Sequence, residues 1–504
     1  MEVLFLTGIL VIFFLYAKSL ISRQSNAKPP PPGPTGLPIL GSLLQLGRFP
    51  HRSLAKLADR HGPLMTLRLG SVATVIASSP EVAGEIFRRH DETFADRHVP
   101  DVITAQPNPE ATLAWVPGDH RWRNRRRFCS TQMFAAQRLD SSERLRREKV
   151  QQLVAHLRKH AFSGGGAAVD VGRAAFGTTL NLMSNTIFSV DLVVGSDYFE
   201  SAQEFKDLVW RIMEDAGRLN LSDYFPVLRR FDLQGVKRHI RASYDRLHEI
   251  FDELIDKRLE ERGSGGSRTG DFLDLLLDQC QEEGSDFNRI TIKPLILDLF
   301  IAGSDTSAIT TEWAMAELLR QPDVRRKARE ELSQVIGPGR AVQESDIDQL
   351  PYLQAIVKET LRLHPAVPLL LPYKARNDVE LCGYAVAKGT QVLINAWAIG
   401  RDPKYWTEPT CFMPERFLLK PSVDYRGRDF EYIPFGAGRR ICPGLPLAAR
   451  MVHLMLASIL HPFDWKLPEG ISPEELDMEE QFGVTLKKAV PLCAIPVLDK
   501  DLRA

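Results

Sequence analysis

Most of the chain places its apolar residues three and four positions apart, the spacing of helices with one buried face. From residue 81 to about 260 this spacing predicts mostly helix, with surface loops at 163–168 and 262–270, where glycine and serine cluster. Between about 286 and 364 it predicts three more helices in close order, ended by X-Pro steps and by the Gly-Pro-Gly turn at 337–339. The pattern therefore predicts a large, mostly α-helical body.

Two shorter stretches alternate between apolar and polar residues, as strands do. The stretch 63–80 is rich in β-branched residues and predicts a hairpin or two strands. The stretch 379–395 alternates around Lys388-Gly389 and predicts a hairpin that turns at this dipeptide. Since no repeat and no obvious boundary divides the body, we expect one domain, mostly α with a minor β region.

The N-terminus has a different pattern, a nearly unbroken apolar run over residues 3–21. As a helix, this run would extend roughly 28 Å, close to the thickness of a bilayer core. Glu2 precedes the run, and the basic residues Arg23 and Lys28 follow it, which by the positive-inside rule places the body in the cytosol. The alternative is a cleaved signal peptide with its site at Ala17-Lys18-Ser19.

A proline-rich stretch, KPPPPGPTGLPILGS at 28–42, follows the apolar run. Its prolines predict a stiff, non-helical spacer, and its apolar residues argue against the alternative of a disordered linker. The expected organisation is a transmembrane anchor over 1–21, a basic and proline-rich hinge over 22–42, and the body over 43–504.

Charge and cysteine content narrow the partners and the compartment. The 64 basic and 64 acidic residues cancel, so any electrostatic recognition must be local. The six cysteines form no Cys-x-x-Cys pair, which in a chain this long is typical of free thiols in a reducing compartment. The cysteine content agrees with a cytosolic body on a membrane tether, whereas the balanced charge argues neither for nor against a membrane partner.

One apolar helix, LFIAGSDTSAITTEWAMAELL at 299–319, is interrupted by polar residues near its middle. A buried acid or hydroxyl lowers stability unless it is satisfied, and Gly303 leaves room for something to approach the backbone. Thr306 can donate a hydrogen bond to the carbonyl of Ala302. The functional hypothesis is a helix that passes over a bound group, with Asp305 and Thr306 moving protons. The alternative is a solvated helix face.

A candidate ion pair lies in IVKETLRLHP, where Glu359 and Arg362 share one helix face among aliphatic residues. Arg416, in CFMPERF, is a candidate third member. If the pair is buried, removal of one partner costs about 3–5 kcal/mol, whereas the alternative, an exposed pair, contributes at most about 1 kcal/mol.

Five arginines crowd the segment RWRNRRRF at 121–128. On a helix, Trp122 and Arg126 lie on one face, and Arg123 and Arg127 form a second column. Because the arginine fork pairs well with carboxylates, one face is a candidate for a buried anionic group and the other for an acidic partner. The alternative is a basic, solvated face.

The most informative stretch is PFGAGRRICPG at 434–444, which places Cys442 among glycines and arginines. The glycines let the backbone turn tightly and approach a flat ligand. Pro443 and the helical pattern at 445–460 place Cys442 at a helix N-terminus, where free N–H groups favour a thiolate. A thiolate beside a flat cofactor with acidic arms, with arginines nearby, is the pattern of cysteine-ligated haem.

Together these stretches resemble the cytochrome P450 superfamily over the whole chain. Five family motifs occur in family order at family spacing, and an ordered set of this kind leaves almost no room for chance. They are the haem loop at Phe435, Gly438, Arg440, Cys442 and Gly444, the E-x-x-R pair at Glu359 and Arg362, the P-E-R-F run at 414–417, the W-x-x-x-R pair at Trp122 and Arg126, and the A-G-x-D-T-S run at 302–307.

The resemblance implies a triangular, mostly helical fold around one haem b. Cys442 would be the axial ligand of the haem iron, and Trp122, Arg126 and Arg440 would bind the haem propionates. The chain departs from many relatives at Tyr373, where the family often has His or Arg, so a propionate contact from that segment is in doubt.

The resemblance also implies roles for the other motifs. Glu359, Arg362 and Arg416 would hold the core together as a structural set. Asp305 and Thr306 would deliver protons for the activation of O2, of which one atom enters the substrate and the other leaves as water.

Partners and location follow from the same resemblance. It implies a single-pass enzyme of the endoplasmic reticulum membrane, with its catalytic domain over 43–504 facing the cytosol and no nucleic-acid partner. Electrons would come from NADPH through the acidic face of NADPH–cytochrome P450 reductase. The candidate docking residues are Arg123, Arg125, Arg127 and Arg439.

The segments 369–406 and 435–460 look like plant microsomal P450s, most similar to the group with geraniol 8-hydroxylase and ferruginol synthase. This implies hydroxylation of a mono- or diterpenoid, held by shape in an apolar pocket. Candidate pocket residues, each of which could be ordinary core, are Phe300, Ile301, Ala302, Val367, Leu370, Phe482 and Val484. The alternatives are an alkaloid or phenylpropanoid hydroxylase, a P450-fold isomerase or dehydratase, which Asp305-Thr306 argues against, and a haem-binding protein without catalysis.

Overall fold

The computed structural model describes residues 28–162, 167–193, 198–265 and 268–498. The anchor expected over 1–21 and the first part of the hinge lie outside these ranges and stay predictions. Within them, no helix is both long and apolar enough to cross a membrane.

Helices make up most of the described chain, as the apolar spacing predicts. Shorter helices at Leu43–Leu46, Ala136–Ser141, Leu221–Tyr224, Ala396–Ile399 and Glu415–Leu419 lie between the long ones. The helices of eight residues or more are α1 Pro50–His61, α2 Pro80–Arg89, α3 His120–Gln132, α4 Glu143–Phe162, α5 Val171–Phe188, α6 Tyr198–Gly217, α7 Val236–Gly263, α8 Phe272–Gln279, α9 Arg289–Arg320, α10 Pro322–Ile336, α11 Pro351–Leu363 and α12 Leu445–Leu460.

The strands of the described chain form small sheets at the edge of the helical body. They are β1 Leu64–Leu69, β2 Val72–Ala77, β3 Asp96–Arg97, β4 Val169–Asp170, β5 Tyr373–Lys374, β6 Val379–Leu381, β7 Tyr384–Val386, β8 Gln391–Ile394, β9 Phe463–Lys466, β10 Glu480–Phe482, β11 Leu486–Lys488 and β12 Cys493–Leu498. The largest sheet has the order β1-β2-β8-β5-β3, a second has the order β4-β12-β9, and β6–β7 and β10–β11 are hairpins.

The three helices expected between 286 and 364 are confirmed as α9, α10 and α11. α9 begins at a capping box in which the side chains of Asn288 and Thr291 satisfy each other's backbone N–H groups. Pro322 begins α10, and Pro351 begins α11. Proline at the first helical position therefore marked these boundaries correctly.

One of the two strand predictions is confirmed, and the other is right about its turn but wrong about the strands that pair. The stretch 63–80 is the antiparallel pair β1–β2. In 379–395 the chain turns at Lys388-Gly389 as predicted, where the N–H of Thr390 donates to the carbonyl of Ala387. The hairpin, however, is β6–β7, which turns at Cys382 and Gly383, and β8 pairs in parallel with β2. Alternation marks a strand but does not identify its partner, so the pattern alone could not assign this pairing.

α9 is fixed in the core by close packing against α5. A Cβ at Gly303 would lie 2.6 Å from Sδ of Met183, so the absent side chain lets the two helices meet. Oγ1 of Thr179 donates a hydrogen bond of 2.8 Å to the carbonyl of Ser304. The neighbour that Gly303 admits to the backbone is thus a helix of the chain itself.

The described part of the proline-rich stretch lies against the sheets rather than away from them. The N–H of Thr66 in β1 donates to the carbonyl of Pro32 (2.7 Å), and that of Ala385 in β7 donates to Pro29 (3.0 Å). Lys28 also pairs with Glu380 at 2.5 Å. The stretch is therefore ordered against the body from residue 28.

Candidate active site

One cavity brings most of the sequence motifs together. It has a volume of about 310 Å³ and is lined by α9, by the loop 434–444 and by the first turns of α12. Its wall is mostly apolar. Its polar side chains include Arg97, Arg126, Asp298, Thr306, Arg440 and Cys442.

Cys442 reaches the cavity from the loop that precedes α12. Its N–H donates to the carbonyl of Phe435 at 3.0 Å. Gly438 has a φ of 67°, and a Cβ there would lie 2.5 Å from Oδ1 of Asp91, so the turn depends on glycine.

Burial and the neighbouring donors shift the pKa of the Cys442 thiol in opposite directions. Burial raises the pKa of its thiol, while the N–H groups of Gly444 and Leu445 and the charge of Arg126 oppose this rise. The helix N-terminus alone therefore does not produce the thiolate that the sequence pattern predicts. A cation on the cavity side of the sulfur would complete the stabilisation.

Three arginines line this cavity, and none of them pairs with a carboxylate of a described residue. Burial lowers the pKa of Arg97 and Arg126, and it lowers that of Arg440 to about 9. Nε of Arg97 is buried and has no hydrogen-bond partner among the described residues. Buried cations and an unpaired donor around a cysteine fit a flat, thiolate-ligated group with acidic arms, as haem is.

Arg97 is the member of this set that sequence reasoning missed. It lies in β3, a strand of two residues, and one guanidinium nitrogen donates to the carbonyl of Leu371 at 2.8 Å. Its Cζ lies 4.2 Å from the ring centroid of Tyr373, so the segment that departs from the family pattern holds Arg97 at the cavity. A lone arginine in a short strand has no periodic signal that could have identified it.

Arg440 and Trp122 lie together, as their shared role predicts. Cζ of Arg440 is 4.2 Å from the Trp122 ring centroid. The guanidinium also donates to the carbonyls of Ala95 (2.7 Å), Leu113 (3.3 Å) and Val116. Arg440 therefore fixes the segment 113–116, which forms part of the cavity wall.

The acid and the hydroxyl of α9 point in different directions. Thr306 lines the cavity and donates to the carbonyl of Ala302 at 2.8 Å, as expected. Asp305 lies on the other side of the helix, where Oγ1 of Thr485 donates to its carboxylate at 2.8 Å. Burial raises the pKa of Asp305, and the Thr485 hydrogen bond and the charges of Lys487 and Lys206 oppose this rise.

Glu359, Arg362 and Arg416 meet as the sequence suggested, in a fully buried network. Arg362 makes two hydrogen bonds of 2.7 Å to the carboxylate of Glu359, and Nε of Arg416 makes a third of 3.0 Å. Both arginines also donate to backbone carbonyls, including that of Cys411, in the segment that leads to the haem loop. The alternative of an exposed pair is thereby excluded.

Five of the seven candidate pocket residues line the cavity, namely Ile301, Ala302, Val367, Leu370 and Val484. The other two do not, and these predictions need correction. Phe300 is fully buried against Phe251, with ring centroids 5.2 Å apart, because it faces α7 rather than the cavity. Phe482 stacks on His51 at 5.4 Å and lines a separate cavity of about 110 Å³.

The basic segment on α3 also differs from the prediction in one position. Arg125 is buried and donates to the carbonyl of Glu110 at 2.9 Å, so it cannot belong to an exposed docking patch. Arg123 and Arg127 are exposed, as is Arg439, which pairs with Asp91 at 3.3 Å. The helical phase explains the difference, since Arg125 lies on the buried side of α3 with Trp122 and Cys129.

Comparison with known proteins agrees with this geometry. The family model described as Cytochrome P450 matches residues 31–492. Geraniol 8-hydroxylase of Catharanthus roseus is 50% identical over 98% of this chain and 99% of its own. Drimenol monooxygenase of Persicaria hydropiper is 45% identical over 95% of this chain and 94% of its own. The 7-ethoxycoumarin O-deethylase of Helianthus tuberosus is 49% identical over 93% of this chain and 94% of its own.

Proposed function

The chain belongs to the cytochrome P450 family and is a cytochrome P450 monooxygenase, and from this premise we propose that it hydroxylates a plant terpenoid. The observation that carries the proposal is the shared cavity, in which Cys442, Thr306 and three arginines that pair with no described carboxylate meet a mostly apolar wall. Haem, when bound, supplies the oxygen-activating and electron-transfer chemistry.

The residues of the chain bind and orient the cofactor. Sγ of Cys442 would hold the haem iron, and the N–H groups of Gly444 and Leu445 at the start of α12 would share its negative charge. Arg97, Arg126 and Arg440 would hold the acidic arms, since burial lowers the pKa of each and none has a carboxylate partner among the described residues.

Asp305 and Thr306 would hold and move the protons that the reaction consumes. The hydroxyl of Thr306 donates to the carbonyl of Ala302, which leaves its oxygen free to accept a hydrogen bond from the cavity side. The carboxyl of Asp305 has a raised pKa and lies next to Lys487, so it can exchange a proton with the far side of α9.

A terpenoid fits the cavity by shape and polarity. Ile301, Val367, Leu370 and Val484 present aliphatic surface, which binds hydrocarbon without hydrogen bonds. The similarity to geraniol 8-hydroxylase and drimenol monooxygenase supports a terpenoid. The similarity to 7-ethoxycoumarin O-deethylase makes an aromatic ether or phenol the second candidate.

The test combines this protein with NADPH–cytochrome P450 reductase and NADPH in microsomes, with geraniol, drimenol and 7-ethoxycoumarin as separate substrates. We expect hydroxylated terpenoid, identified by mass spectrometry, and no product without NADPH. Product formed without NADPH would contradict a monooxygenase, and turnover of the coumarin alone would contradict a terpenoid substrate.

We propose that the reductase docks on the exposed arginines of α3. Arg123→Glu with Arg127→Glu is expected to slow reduction by the reductase at low salt and to leave haem content unchanged, because exposed charges steer association. Arg326→Glu, an exposed change on α10, is the matched control. Equal reduction rates in all three proteins would exclude this surface.

The endoplasmic reticulum location stays a proposal, supported by a second apolar surface besides the apolar run 3–21. Leu37, Ile39 and Leu44 are exposed, as are Val227, Phe231 and Leu233. The β1–β2 turn joins the two segments, since Gly70 donates to the carbonyl of Leu40 and Ser71 donates to that of Tyr224. Such a patch beside an anchor is expected to touch the bilayer.

A polarity-sensitive dye tests this contact in the full-length protein in lipid nanodiscs. A dye on Val227→Cys should report an apolar environment, whereas a dye on Leu419→Cys, an equally exposed position elsewhere, should report water. Identical spectra at the two positions would contradict membrane contact.

A further inference from the structure

Asp298 is a partly buried acid that none of the motifs includes. It lies on α9, and among the described residues that line the main cavity it is the only carboxylate. Asp298, Ala302 and Thr306 are spaced by four residues, and all three line the cavity. Asp298 therefore belongs to the same wall as the proton-handling residue, two turns earlier in the helix.

The two oxygens of Asp298 are used differently. Oδ2 accepts hydrogen bonds from the N–H groups of Leu113 (2.6 Å) and Ala114 (2.9 Å). Oδ1 receives no hydrogen bond from a described residue, and it is not among the buried atoms that lack a partner. Since Asp298 is partly exposed and lines the cavity, Oδ1 is the oxygen left to face a ligand there.

A phenol accompanies this carboxylate. Tyr244 of α7 lines the same cavity, and burial together with the charge of Asp298 raises its pKa, so it is a neutral O–H donor. Burial raises the pKa of Asp298 to about 6, so it is mostly ionised at neutral pH. An acceptor and a donor thus line the cavity together, in addition to its arginines and Thr306.

We propose that Asp298 and Tyr244 form a binding site for a hydroxyl group of the substrate, which donates to Oδ1 of Asp298 and accepts from Tyr244. The site deepens the proposed function, because it selects terpenoid alcohols over hydrocarbons and ethers. A hydroxyl group uses both side chains, since it donates to the carboxylate and accepts from the phenol, whereas an ammonium group can only donate.

The position of the site along α9 also sets where the substrate is oxidised. Eight residues separate Asp298 from Thr306, which corresponds to about 12 Å along the helix axis. A substrate whose hydroxyl lies at Asp298 therefore presents the opposite end of its carbon skeleton to the reacting end of the cavity. The expected product carries its new oxygen far from the original hydroxyl.

The test compares the dissociation constants of geraniol and geranyl methyl ether, measured from the spin-state shift of the haem-loaded protein. The ether keeps the skeleton but cannot donate a hydrogen bond. We expect the wild-type protein to bind the alcohol about tenfold more tightly than the ether. Geranylamine, which adds a positive charge, should bind no more tightly than the alcohol, and tighter binding of the amine would overturn the hydroxyl assignment.

The variant Asp298→Asn tests the role of Oδ1 separately from that of Oδ2. The amide oxygen can still accept from Leu113 and Ala114, while an NH2 group replaces the acceptor that faces the substrate. We expect the preference for the alcohol to disappear while haem content is retained. Asp223→Asn is the matched control, since Asp223 also accepts a backbone N–H and has a pKa raised to about 6, but it lines the smaller cavity.

Each outcome decides the proposal. Equal binding of alcohol and ether by the wild-type protein, a preference that survives in Asp298→Asn, or one lost in Asp223→Asn would overturn it. If Asp298→Asn does not retain haem, the wild-type comparison decides alone. The terpenoid proposal is tested independently of the hydroxyl site, and it fails if no terpenoid is bound or oxidised. In that case, a hydroxycoumarin and its methyl ether replace geraniol and its ether in the same comparison.

Discussion

Single buried cations determine what the cavity can bind. Arg97 shows this most clearly, because its Nε is buried without a partner among the described residues and its pKa is lowered by burial. A buried charge in this state is unfavourable until an anion pairs with it. Arg97 therefore lowers the stability of the protein without a cofactor, and it raises the affinity of the cavity for an acidic cofactor.

Arg97→Ala is expected to lower the amount of haem retained per polypeptide severalfold, because one acidic arm loses a charge-assisted hydrogen bond. Arg97→Lys should recover part of the loss, since it restores charge without the planar fork. Haem content after gel filtration measures both. Arg89→Ala, an exposed arginine near the same sheet, is the control, and equal haem content in Arg97→Ala and Arg89→Ala would contradict the role.

At the scale of elements, helix α9 separates the cavity from the β10–β11 hairpin and presents different residues to each. One side lines the cavity through Asp298, Ala302 and Thr306. The other side is tied to the β10–β11 hairpin through Asp305 and Thr485. Because proton supply and substrate contact are on opposite sides of one helix, the position of that helix controls both.

Thr485→Val removes the hydroxyl that donates to Asp305. The pKa of this buried carboxyl should rise further, because the hydrogen bond that opposes the effect of burial is lost. Proton delivery should slow, so that less product forms per NADPH consumed, while substrate affinity stays the same. Thr485→Ser keeps the donor and should behave as wild type; reduced coupling in both variants would point to a packing effect instead.

The α11 helix depends on the Glu359 network. Glu359→Gln leaves Arg362 and Arg416 buried without their counter-charge, at an expected cost of about 3–5 kcal/mol in the free energy of unfolding. Chemical denaturation of the haem-loaded protein measures the change. Glu330→Gln breaks an exposed pair with Arg326 and should leave the midpoint unchanged; similar midpoints for the two variants would mean that the network does not stabilise the fold.

At the scale of the whole molecule, contacts between distant parts of the chain hold helix α1 in place. Glu480 of β10 bonds to His51 (3.1 Å) and Arg52 (2.8 Å) of α1 across more than four hundred residues. Burial alone would raise the pKa of Glu480, but these partners lower it to about 2. The carboxylate is therefore a fixed negative charge between two ends of the sequence.

The pH dependence of this contact has a definite sign. Because the folded-state pKa lies below the ordinary 4.5, the carboxylate stabilises the fold above about pH 4.5 and loses this effect as the pH falls towards 2. The contribution at neutral pH is about 3 kcal/mol. Glu480→Gln should unfold more easily at neutral pH, and its difference from wild type should shrink between about pH 4.5 and pH 3.

Denaturation midpoints over this pH range measure the effect. The neighbouring Glu479 is exposed, and Glu479→Gln is the control that should show no pH-dependent difference. A difference between wild type and Glu480→Gln that stays constant across the range would contradict the linkage.

Local sequence determined the parts of this protein whose partners lie close in the chain. The glycine turn around Cys442, the ends of α9 to α11 and the face shared by Glu359 and Arg362 depend on backbone freedom and on spacing within a few residues. These features leave a direct pattern in the sequence, and the turn, helix ends and shared helix face predicted from them are present in the structure.

Only the tertiary structure decided which side chains meet across long separations. Arg97, Asp298 and Tyr244 come from three separate elements, and the burial of Arg125 and the turn at Cys382-Gly383 depend on what packs against them. Periodicity reports that a face is buried but not what lies opposite it, because that choice is made by packing between elements far apart in the chain. The motif around Cys442 is visible in a short stretch of sequence, whereas the polar groups that line the substrate cavity come together only in the folded molecule.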